Sequence, residues 1–298
     1  MIEDYMRWEQ YILRRAPDFE LKYDVGGRRY EIGPDDRVYV AGMGGSGVVG
    51  DLLRDLSALY DWPFDVVVVK DYFFRGRRGL MIAVSYSGNT VETITAAQEA
   101  LRRGIPVVAI TTGGRLAELG IPTIRVPKAS APRAALPQMF TAALWVLRRI
   151  YGIEFALPDS LPYDSALEER LKSVISRRPT IVAPASMQGV AYRVKNEINE
   201  NAKMDSPVEI LPEAHHNWIE GASSPLMALT SEQIPLEHRR RVEITVDLVG
   251  GELFKVDMTI GGVLTFLKHV GLATAKLALE RGIDPLKTPR IDLIKQRL

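Results

Sequence analysis

Two short stretches rich in glycine or hydroxyl residues follow apolar runs of the sequence. They are VYVAGMGGSG at 38–47 and LMIAVSYSGNT at 80–90, and a helical pattern follows each. Glycines let backbone N–H groups converge on an anion at a helix N-terminus. Three hydroxyls at such a terminus suit a phosphate dianion, which accepts many hydrogen bonds. The sequence therefore predicts a phosphate site, with candidate residues Gly45, Ser46, Ser85, Ser87 and Thr90.

Each of the two stretches also has a plainer interpretation. The glycines at 42–47 match G-x-G-x-x-G, and Lys-Asp at 70–71 follows the next apolar run, as in an NAD(P)-dependent oxidoreductase. Thr90 and Glu92 alone would explain a capped helix start. A dinucleotide needs one phosphate loop and a cap needs one hydroxyl, so the second hydroxyl cluster favours phosphate binding.

The segment KNEINENAKM at 195–204 carries the candidate general base. Apolar residues recur every four positions from Val190 to Ile198, which indicates a helix with an inward stripe. Glu197, Glu200 and Asn201 are spaced to lie together on another side of that helix. A solvated helix face explains the same spacing, and a carboxylate that moves a proton is the functional alternative.

Two of the four histidines are adjacent, at His215 and His216. With Glu213 they could form a metal site, but adjacent side chains diverge and no further histidine cluster supplies ligands. We expect His215 to be a structural hydrogen-bonding group. The sequence alone leaves the role of His216 open.

The remaining candidates lie beside prolines. Arg133 is enclosed by Pro132 and Pro137, and such rigid flanks suit a positioned side chain. Thr288 precedes a proline and is expected to cap the C-terminal helix. On that helix Lys295 falls about 40° from Ile291, at the edge of an inward apolar stripe. The stripe consists of Ile291, Ile294 and Leu298.

Short apolar runs that alternate with helical patterns predict an α/β protein with parallel sheets covered on both faces. We expect two similar doubly wound halves, an N-terminal domain at 1–154 and a C-terminal domain at 155–298. Strands are predicted at 38–42, 65–69, 80–85, 107–111, 123–127, 179–186, 208–211, 225–231 and 240–249. Helices are predicted from about 48 and at 90–103, 138–151, 188–203 and 262–281, with a short one at the end of the chain.

Composition narrows the class of protein. The 298 residues carry a net charge of +1 and no cysteine, which argues against bulk attraction to nucleic acid or membrane and excludes disulfides and thiolate sites. There is no run of 18 consecutive apolar residues and no signal-like N-terminus, so we expect a cytoplasmic location. Five Asn, six Gln and an excess of Arg over Lys suggest adaptation to high temperature.

The two loops resemble those of the SIS (sugar isomerase) domain, a phosphosugar-binding module. SAPRAALP at 130–137, KNEINENAKM at 195–204, PEAHHNWIEG at 212–221 and KTPRIDLIKQ at 287–296 are similar to segments of the archaeal bifunctional phosphoglucose/phosphomannose isomerases. The resemblance covers nearly the whole chain. It implies two SIS domains, hexose 6-phosphate substrates in glycolysis or gluconeogenesis, no cofactor and no metal.

The resemblance also implies residue roles. Glu200 would be the base, and Arg133 would stabilise the enediolate. His216, reaching the neighbouring subunit of a homodimer, and Lys295 would open the sugar ring. Thr288 would leave room at C2–C3, which would explain acceptance of both epimers.

Other classes of function remain as alternatives at this point. They are a non-catalytic SIS sugar-phosphate sensor, the NAD(P)-dependent oxidoreductase and an SIS enzyme acting on amino sugars. A sensor would leave Glu200, His216 and Lys295 without a role.

Overall fold

The computed structural model describes residues 1–20, 24–25, 28–29 and 37–297, with only the backbone described at 24–25 and 28–29. Its chain divides into a unit of Glu9–Asp159 and a unit that combines Met1–Trp8 with Ser160–Leu298. The first helix, α1 (Ile2–Met6), therefore belongs with the C-terminal part of the chain. The predicted division at 154 did not anticipate this placement.

The unit of residues 9–159 is built on a parallel sheet with the strand order β4-β3-β5-β6-β7. Its strands are β3 (Arg37–Ala41), β4 (Val66–Val69), β5 (Gly79–Val84), β6 (Val107–Thr111) and β7 (Thr123–Arg125). An antiparallel pair, β1 (Asp24–Val25) and β2 (Arg28–Arg29), precedes them. The helices are α2 (Gly44–Leu59), α3 (Val91–Arg102), α4 (Gly114–Ala117) and α5 (Leu136–Tyr151).

The central strand explains the apolar sequence that led to its prediction. Every residue of β5 is buried, because helices cover both faces of the sheet. The chain runs from β3 to β4 on one side and then to β5 on the other. The strand order therefore reverses beside β3, and open α/β sheets bind ligands at the carboxyl ends of strands at such a point.

The unit of residues 1–8 and 160–298 contains a second parallel sheet with the order β11-β10-β8-β9. Its strands are β8 (Thr180–Pro184), β9 (Val208–Leu211), β10 (Leu226–Thr230) and β11 (Glu252–Lys255). The helices are α6 (Ser165–Ser176), α7 (Gln188–Glu197), α8 (Leu236–Val249), α9 (Ile260–Glu280) and α10 (Pro289–Arg297). A π-helical turn, Ile198–Ala202, continues α7. Two parallel sheets flanked by helices confirm the predicted fold class.

One predicted strand was wrong. Residues 240–249 form part of helix α8, although their apolar and polar residues alternate. Val242 and Thr245 are fully buried in the helix, while Ile244 and Leu248 are 50% and 71% exposed. Helical spacing thus buries one set of side chains, and the alternation that suggested a strand has no structural role. Strand β11, which follows α8, was not predicted.

Helix α9 is long and apolar enough to cross a membrane by length and composition alone. However, 78% of its most apolar window is buried inside the protein. It packs against α1, α6 and α7. Its hydrophobicity is that of a core helix.

Candidate functional site

The two predicted phosphate loops lie at the same edge of one sheet. Strands β3 and β5 are parallel neighbours, with Ala41 opposite Ala83, so the loops that follow them leave the sheet together. A hydrogen bond joins the loops directly: the Tyr86 N–H donates to Ser46 Oγ over 3.1 Å. The loops meet at the reversal of strand order, where such a sheet binds its ligand.

Both loops end in helix N-termini that lack side-chain caps. Helix α2 begins at Gly44, earlier than predicted, so the glycine-rich loop supplies its first turn. Thr90 is the N-cap residue of α3, yet its side chain makes no cap hydrogen bond. The interpretation of Thr90 as a simple cap is therefore wrong. The first N–H groups of a helix have no partner within the helix, and two such termini together favour an anion.

The loop hydroxyls differ in burial and bonding. Ser85 is fully buried; its Oγ accepts from the Gly88 N–H over 3.1 Å and donates to Thr90 Oγ1 over 2.9 Å. Ser87 is exposed and Thr90 is half-buried. Ser85 therefore shapes the loop in this structure, whereas Ser87 presents its hydroxyl to solvent.

Two glycines permit close backbone contacts, one within the first loop and one between the second loop and the segment that follows β6. A Cβ on Gly47 would lie 2.6 Å from the Gly42 carbonyl oxygen. Gly88 has a φ of +69°, and a Cβ there would lie 1.7 Å from the Gly113 carbonyl oxygen. Neither position accommodates a side chain without moving backbone.

Arg133 supplies a buried cation in the same unit. It lies in a short 3-10 turn, Pro132–Ala135, that leads into α5 and packs on α2. Only 3% of Arg133 is exposed. Ser46 of α2 also contacts α5, with its Oγ 3.7 Å from Met139 Sδ. A permanently charged guanidinium held on this scaffold suits the stabilisation of an anion.

The other unit places Glu200 in the π-helical turn after α7. Turns of this kind often occur at functional sites. Glu200 is half-buried and lines a cavity of about 740 Å³, together with Thr288. Lys203, Lys287 and Arg290 also line that cavity. The structure thus brings the candidate base and the candidate specificity residue to one cavity.

The solvated-face interpretation of this helix is wrong for two of its three polar residues. Glu197 and Asn201 are both fully buried, and they hydrogen-bond each other over 2.7 Å. The π-helical turn changes the spacing, so Glu200 does not share their face. The sequence did contain one signal of this burial, since three of the five asparagines lie in the segment.

The two adjacent histidines have different surroundings. The Arg241 guanidinium donates to His215 Nδ1 over 3.2 Å, and His215 Nε2 lies 2.8 Å from Thr245 Oγ1. Because Arg241 can only donate, Nδ1 accepts and Nε2 carries the proton. Burial, Arg241 and His216 lower the pKa of His215. With a cation beside one nitrogen, His215 is a poor metal ligand and fits the predicted structural role.

His216 is exposed at the end of the 3-10 turn Glu213–His216. Within the described residues, no group of three or more His, Asp or Glu side chains could hold a metal ion. Neither His216 nor Lys295 is among the residues that line the Glu200 cavity.

From its place at the edge of the stripe, Lys295 is predicted to point inward or along the surface boundary rather than freely outward, and this prediction is wrong. Helix α10 has no buried residue, and Ile291 and Ile294 are 39% and 58% exposed. No described element of their unit covers these apolar side chains. Lys295, at the edge of the same face, is therefore exposed as well. Leu298, the third residue of the predicted stripe, lies outside the described residues. Thr288 does precede α10, but its hydroxyl is directed to Asp292 Oδ1 at 3.4 Å.

The dinucleotide interpretation gains no support from the end of β4. Lys70 Nζ pairs with Asp51 Oδ2 over 2.5 Å. The Asp71 carboxylate accepts the Tyr72 N–H over 2.6 Å, within its own turn. One oxygen of the acidic residue that would bind ribose hydroxyls is therefore engaged by its own turn.

Fold and loops together define a two-domain protein of the SIS class, with a phosphosugar-type loop pair in the first domain. Comparisons with known families agree: residues 31–147 match the SIS domain, and residues 167–298 match the bacterial phospho-glucose isomerase C-terminal SIS domain. The chain belongs to the bifunctional phosphoglucose/phosphomannose isomerase family.

Membership rests on full-length similarity. The bifunctional phosphoglucose/phosphomannose isomerase of Pyrobaculum calidifontis is 59% identical, with 100% of each chain covered. That of Pyrobaculum aerophilum is 57% identical, covering 100% of this chain and 99% of the other. Glucosamine-6-phosphate deaminase from Thermotoga maritima shares the fold alone, with a TM-score of 0.70, 14% identity, and 96% and 95% of the two chains covered.

Proposed function

We propose that the protein interconverts glucose 6-phosphate and mannose 6-phosphate with fructose 6-phosphate. The observation that carries the proposal is the placement of Glu200. It is the half-buried carboxylate of the helix segment, and it shares a cavity with Thr288, while Glu197 is fixed in a buried network. Full-length identity of 59% and 57% to relatives that bear both activities in their names supports the same reaction.

In the proposed reaction the phosphate binds at the Ser46 and Ser87 loops. The N-termini of α2 and α3 contribute backbone N–H groups and favourable dipoles. His216 and Lys295 move the proton that opens the hexose ring. The reactive form is then the open-chain aldose or ketose.

Glu200 takes the proton from C2 of the aldose or C1 of the ketose. The electrons form a cis-enediolate, and Arg133 stabilises the negative charge that develops on its oxygens. From aldose to ketose, the hydroxyl proton on O2 of the intermediate passes to O1, and in the reverse direction it passes from O1 to O2. Glu200 then returns its own proton to the neighbouring carbon, and the carbonyl forms at the other one. Because the enediolate is planar, it loses the C2 configuration. Rotation about C2–C3 in the room left by Thr288 would then give either epimer, with no metal or redox cofactor in the reaction.

The first experiment uses purified protein with fructose 6-phosphate and excess EDTA, and it identifies the products by NMR. We expect both glucose 6-phosphate and mannose 6-phosphate. Glucose 6-phosphate alone would contradict the role of Thr288. If no product forms even when the protein is heated or given metal, the isomerase assignment is contradicted and a sugar-phosphate sensor is favoured. Glucosamine 6-phosphate, tested in parallel, separates the hexose isomerase from an amino-sugar enzyme.

The substitution Glu200→Gln tests the base. It keeps the shape of the side chain and removes its proton affinity, so we expect kcat to fall by about 10²- to 10⁴-fold while substrate still binds. Glu169→Gln is the matched control, because Glu169 is an exposed carboxylate on α6 of the same unit. Calorimetry checks that the Glu200→Gln variant still binds substrate. Similar kcat values for the Glu200→Gln and Glu169→Gln variants would refute the assignment of Glu200 as the base.

Three broader features belong to the same proposal. The active form is a homodimer in which His216 acts in the neighbouring subunit. The enzyme works in the cytoplasm, in glycolysis or gluconeogenesis. Its scarcity of amides and lack of cysteine fit adaptation to high temperature.

A further inference from the structure

A buried polar network lies directly beneath the turn that carries Glu200. Its centre is the Glu197 carboxylate, which is fully buried. Glu197 Oε2 accepts a hydrogen bond from the Tyr5 hydroxyl over 2.6 Å and another from Asn201 Nδ2 over 2.7 Å. Glu197 Oε1 accepts from the Arg193 guanidinium. A carboxylate in such a place is stable only when its oxygens are satisfied.

Tyr5 enters the network from the first helix of the chain. It is 192 residues away from Glu197 in sequence. Burial and the neighbouring Glu197 raise the pKa of Tyr5 well above its usual value. Tyr5 therefore keeps its proton and acts as a hydrogen-bond donor to the carboxylate.

The position of the Tyr5 ring is fixed by its packing. The ring contacts Trp8, with centroids 5.2 Å apart. On another side it lies against the backbone of α9, where a Cβ on Gly271 would fall 2.3 Å from a ring carbon. Helix α1 can deliver the hydroxyl to Glu197 because Gly271 has no side chain.

The same network reaches α9 through Asn201. Asn201 Nδ2 lies 3.0 Å from Thr274 Oγ1, and that hydroxyl donates to the Val270 carbonyl over 2.8 Å. Asn201 and Thr274 are both fully buried. The network thus connects α1, α7 and α9 at one point.

This connection holds both ends of the turn that bears the proposed base. Glu197 is the last residue of α7, and Asn201 belongs to the π-helical turn Ile198–Ala202. Glu200 lies between them and faces the cavity. A shift of about 1 Å in a reacting group can cost about 10²-fold in rate, so a fixed turn matters for proton transfer.

We propose that Tyr5 is a positioning residue for Glu200: by donating to Glu197 it holds the π-helical turn in the geometry that proton transfer requires. This inference rests on the proposed isomerase function. It assigns a role in that reaction to the N-terminal helix, which is remote in sequence from Glu200. Glu197 and Asn201 transmit the constraint, and neither takes part in the chemistry.

The test is Tyr5→Phe, which removes the hydroxyl and keeps the ring packed against Trp8 and Gly271. We expect kcat for fructose 6-phosphate to fall about 10- to 100-fold while KM changes less than about twofold, because the base is misplaced and the phosphate loops are untouched. Tyr163→Phe is the chemical control, since Tyr163 lies in the same unit and is 44% exposed. We expect its kcat to match the wild type.

Loss of stability could lower activity by itself, so a second control is needed. Val174→Ala truncates a fully buried residue of α6, outside the network. All variants are assayed well below their measured Tm. Equal kcat losses in Tyr5→Phe and Val174→Ala would overturn the proposal, as would an unchanged kcat in Tyr5→Phe.

A double-mutant cycle adds a readout that general destabilisation would not produce. Glu197→Gln keeps the shape of the side chain and removes its charge. If Tyr5 acts only through Glu197, the double variant loses no more kcat than the more damaging single variant. If the kcat losses of the two single variants multiply in the double variant, Tyr5 does not act through Glu197 and the proposal is overturned. An inactive wild type would refute the proposed function, whereas an active wild type with an unaffected Tyr5→Phe variant would refute this inference alone.

Discussion

At the residue scale, two serines of one loop have different environments. Ser87 is exposed and its Oγ accepts the Asn89 N–H over 3.2 Å, which leaves its proton for a ligand. Ser85 has no exposed surface, and its proton is directed to Thr90. A motif that reads as three equivalent hydroxyls therefore contains one that shapes the loop and one available to a phosphate.

The two serines should respond differently to alanine. Ser87→Ala loses a hydrogen bond to a charged group, worth about 1.5–3 kcal/mol, so KM for fructose 6-phosphate should rise by about tenfold or more without a change in Tm. Ser85→Ala should lower the free energy of unfolding by about 1–3 kcal/mol, because the buried loop loses its internal bonds. Steady-state kinetics and urea unfolding measure the two effects. A stable Ser85→Ala variant would contradict the assignment.

His215 provides a prediction about pH. Its pKa is lowered by burial, by Arg241 and by His216, so the folded protein binds its proton less readily than the unfolded chain. Stability from this group is complete above the unfolded pKa of about 6.5 and is lost as the pH falls below it. The wild type should therefore exceed His215→Gln in Tm most at pH 7.5, and the difference should shrink toward pH 5. A difference that is independent of pH would contradict this.

Residue types and spacing predicted several of these groups but not their partners. The sequence indicated that Arg133, flanked by prolines, is held in place, and the asparagines indicated that the segment at 195–204 is not simply a solvated face. The bond from Tyr5 to Glu197 was not, because it joins positions 192 residues apart and depends on how α1 packs. The exposed position of Lys295 was not predicted, because an apolar stripe indicates a buried face only if another element covers it.

At the element scale, periodicity was reliable where burial was complete. Strand β5 and helix α9 agree with their predictions because continuous apolar runs leave few alternatives. Residues 240–249 were misassigned because apolar side chains at alternate positions also satisfy a helix when two of them, Ile244 and Leu248, remain exposed. No local pattern separates these two outcomes.

The π-helical turn at Ile198–Ala202 is an element that periodicity could not predict. Simple i, i+3 and i+4 spacing put Glu197, Glu200 and Asn201 on one side, which holds for a regular α-helix. The turn instead buries Glu197 and Asn201 and leaves Glu200 at the cavity. The feature that separates a structural carboxylate from the proposed base is thus a local departure from α-helical geometry.

At the scale of the whole molecule, the order of elements predicted two α/β halves, and the structure has two parallel sheets. The first eight residues belong with the C-terminal part, where α1 packs against α9, and Tyr5 and Trp8 are fully buried. Sequence order gave no indication of this return of the chain. This placement is what allows Tyr5 to reach Glu197 and, in the proposed role, to position Glu200.

The proposed homodimer can be tested by mixing two inactive variants. If each site uses Glu200 of one subunit and His216 of the other, a heterodimer of Glu200→Gln and His216→Ala chains has one intact site and one doubly altered site. Equal amounts, after complete subunit exchange, form heterodimers as about half of all dimers and should recover about a quarter of wild-type activity. The measurement is isomerase activity before and after exchange, with each variant alone as the control. If both groups acted from the same chain, neither site of a heterodimer would be intact and mixing would restore nothing, so recovery depends on His216 crossing between subunits.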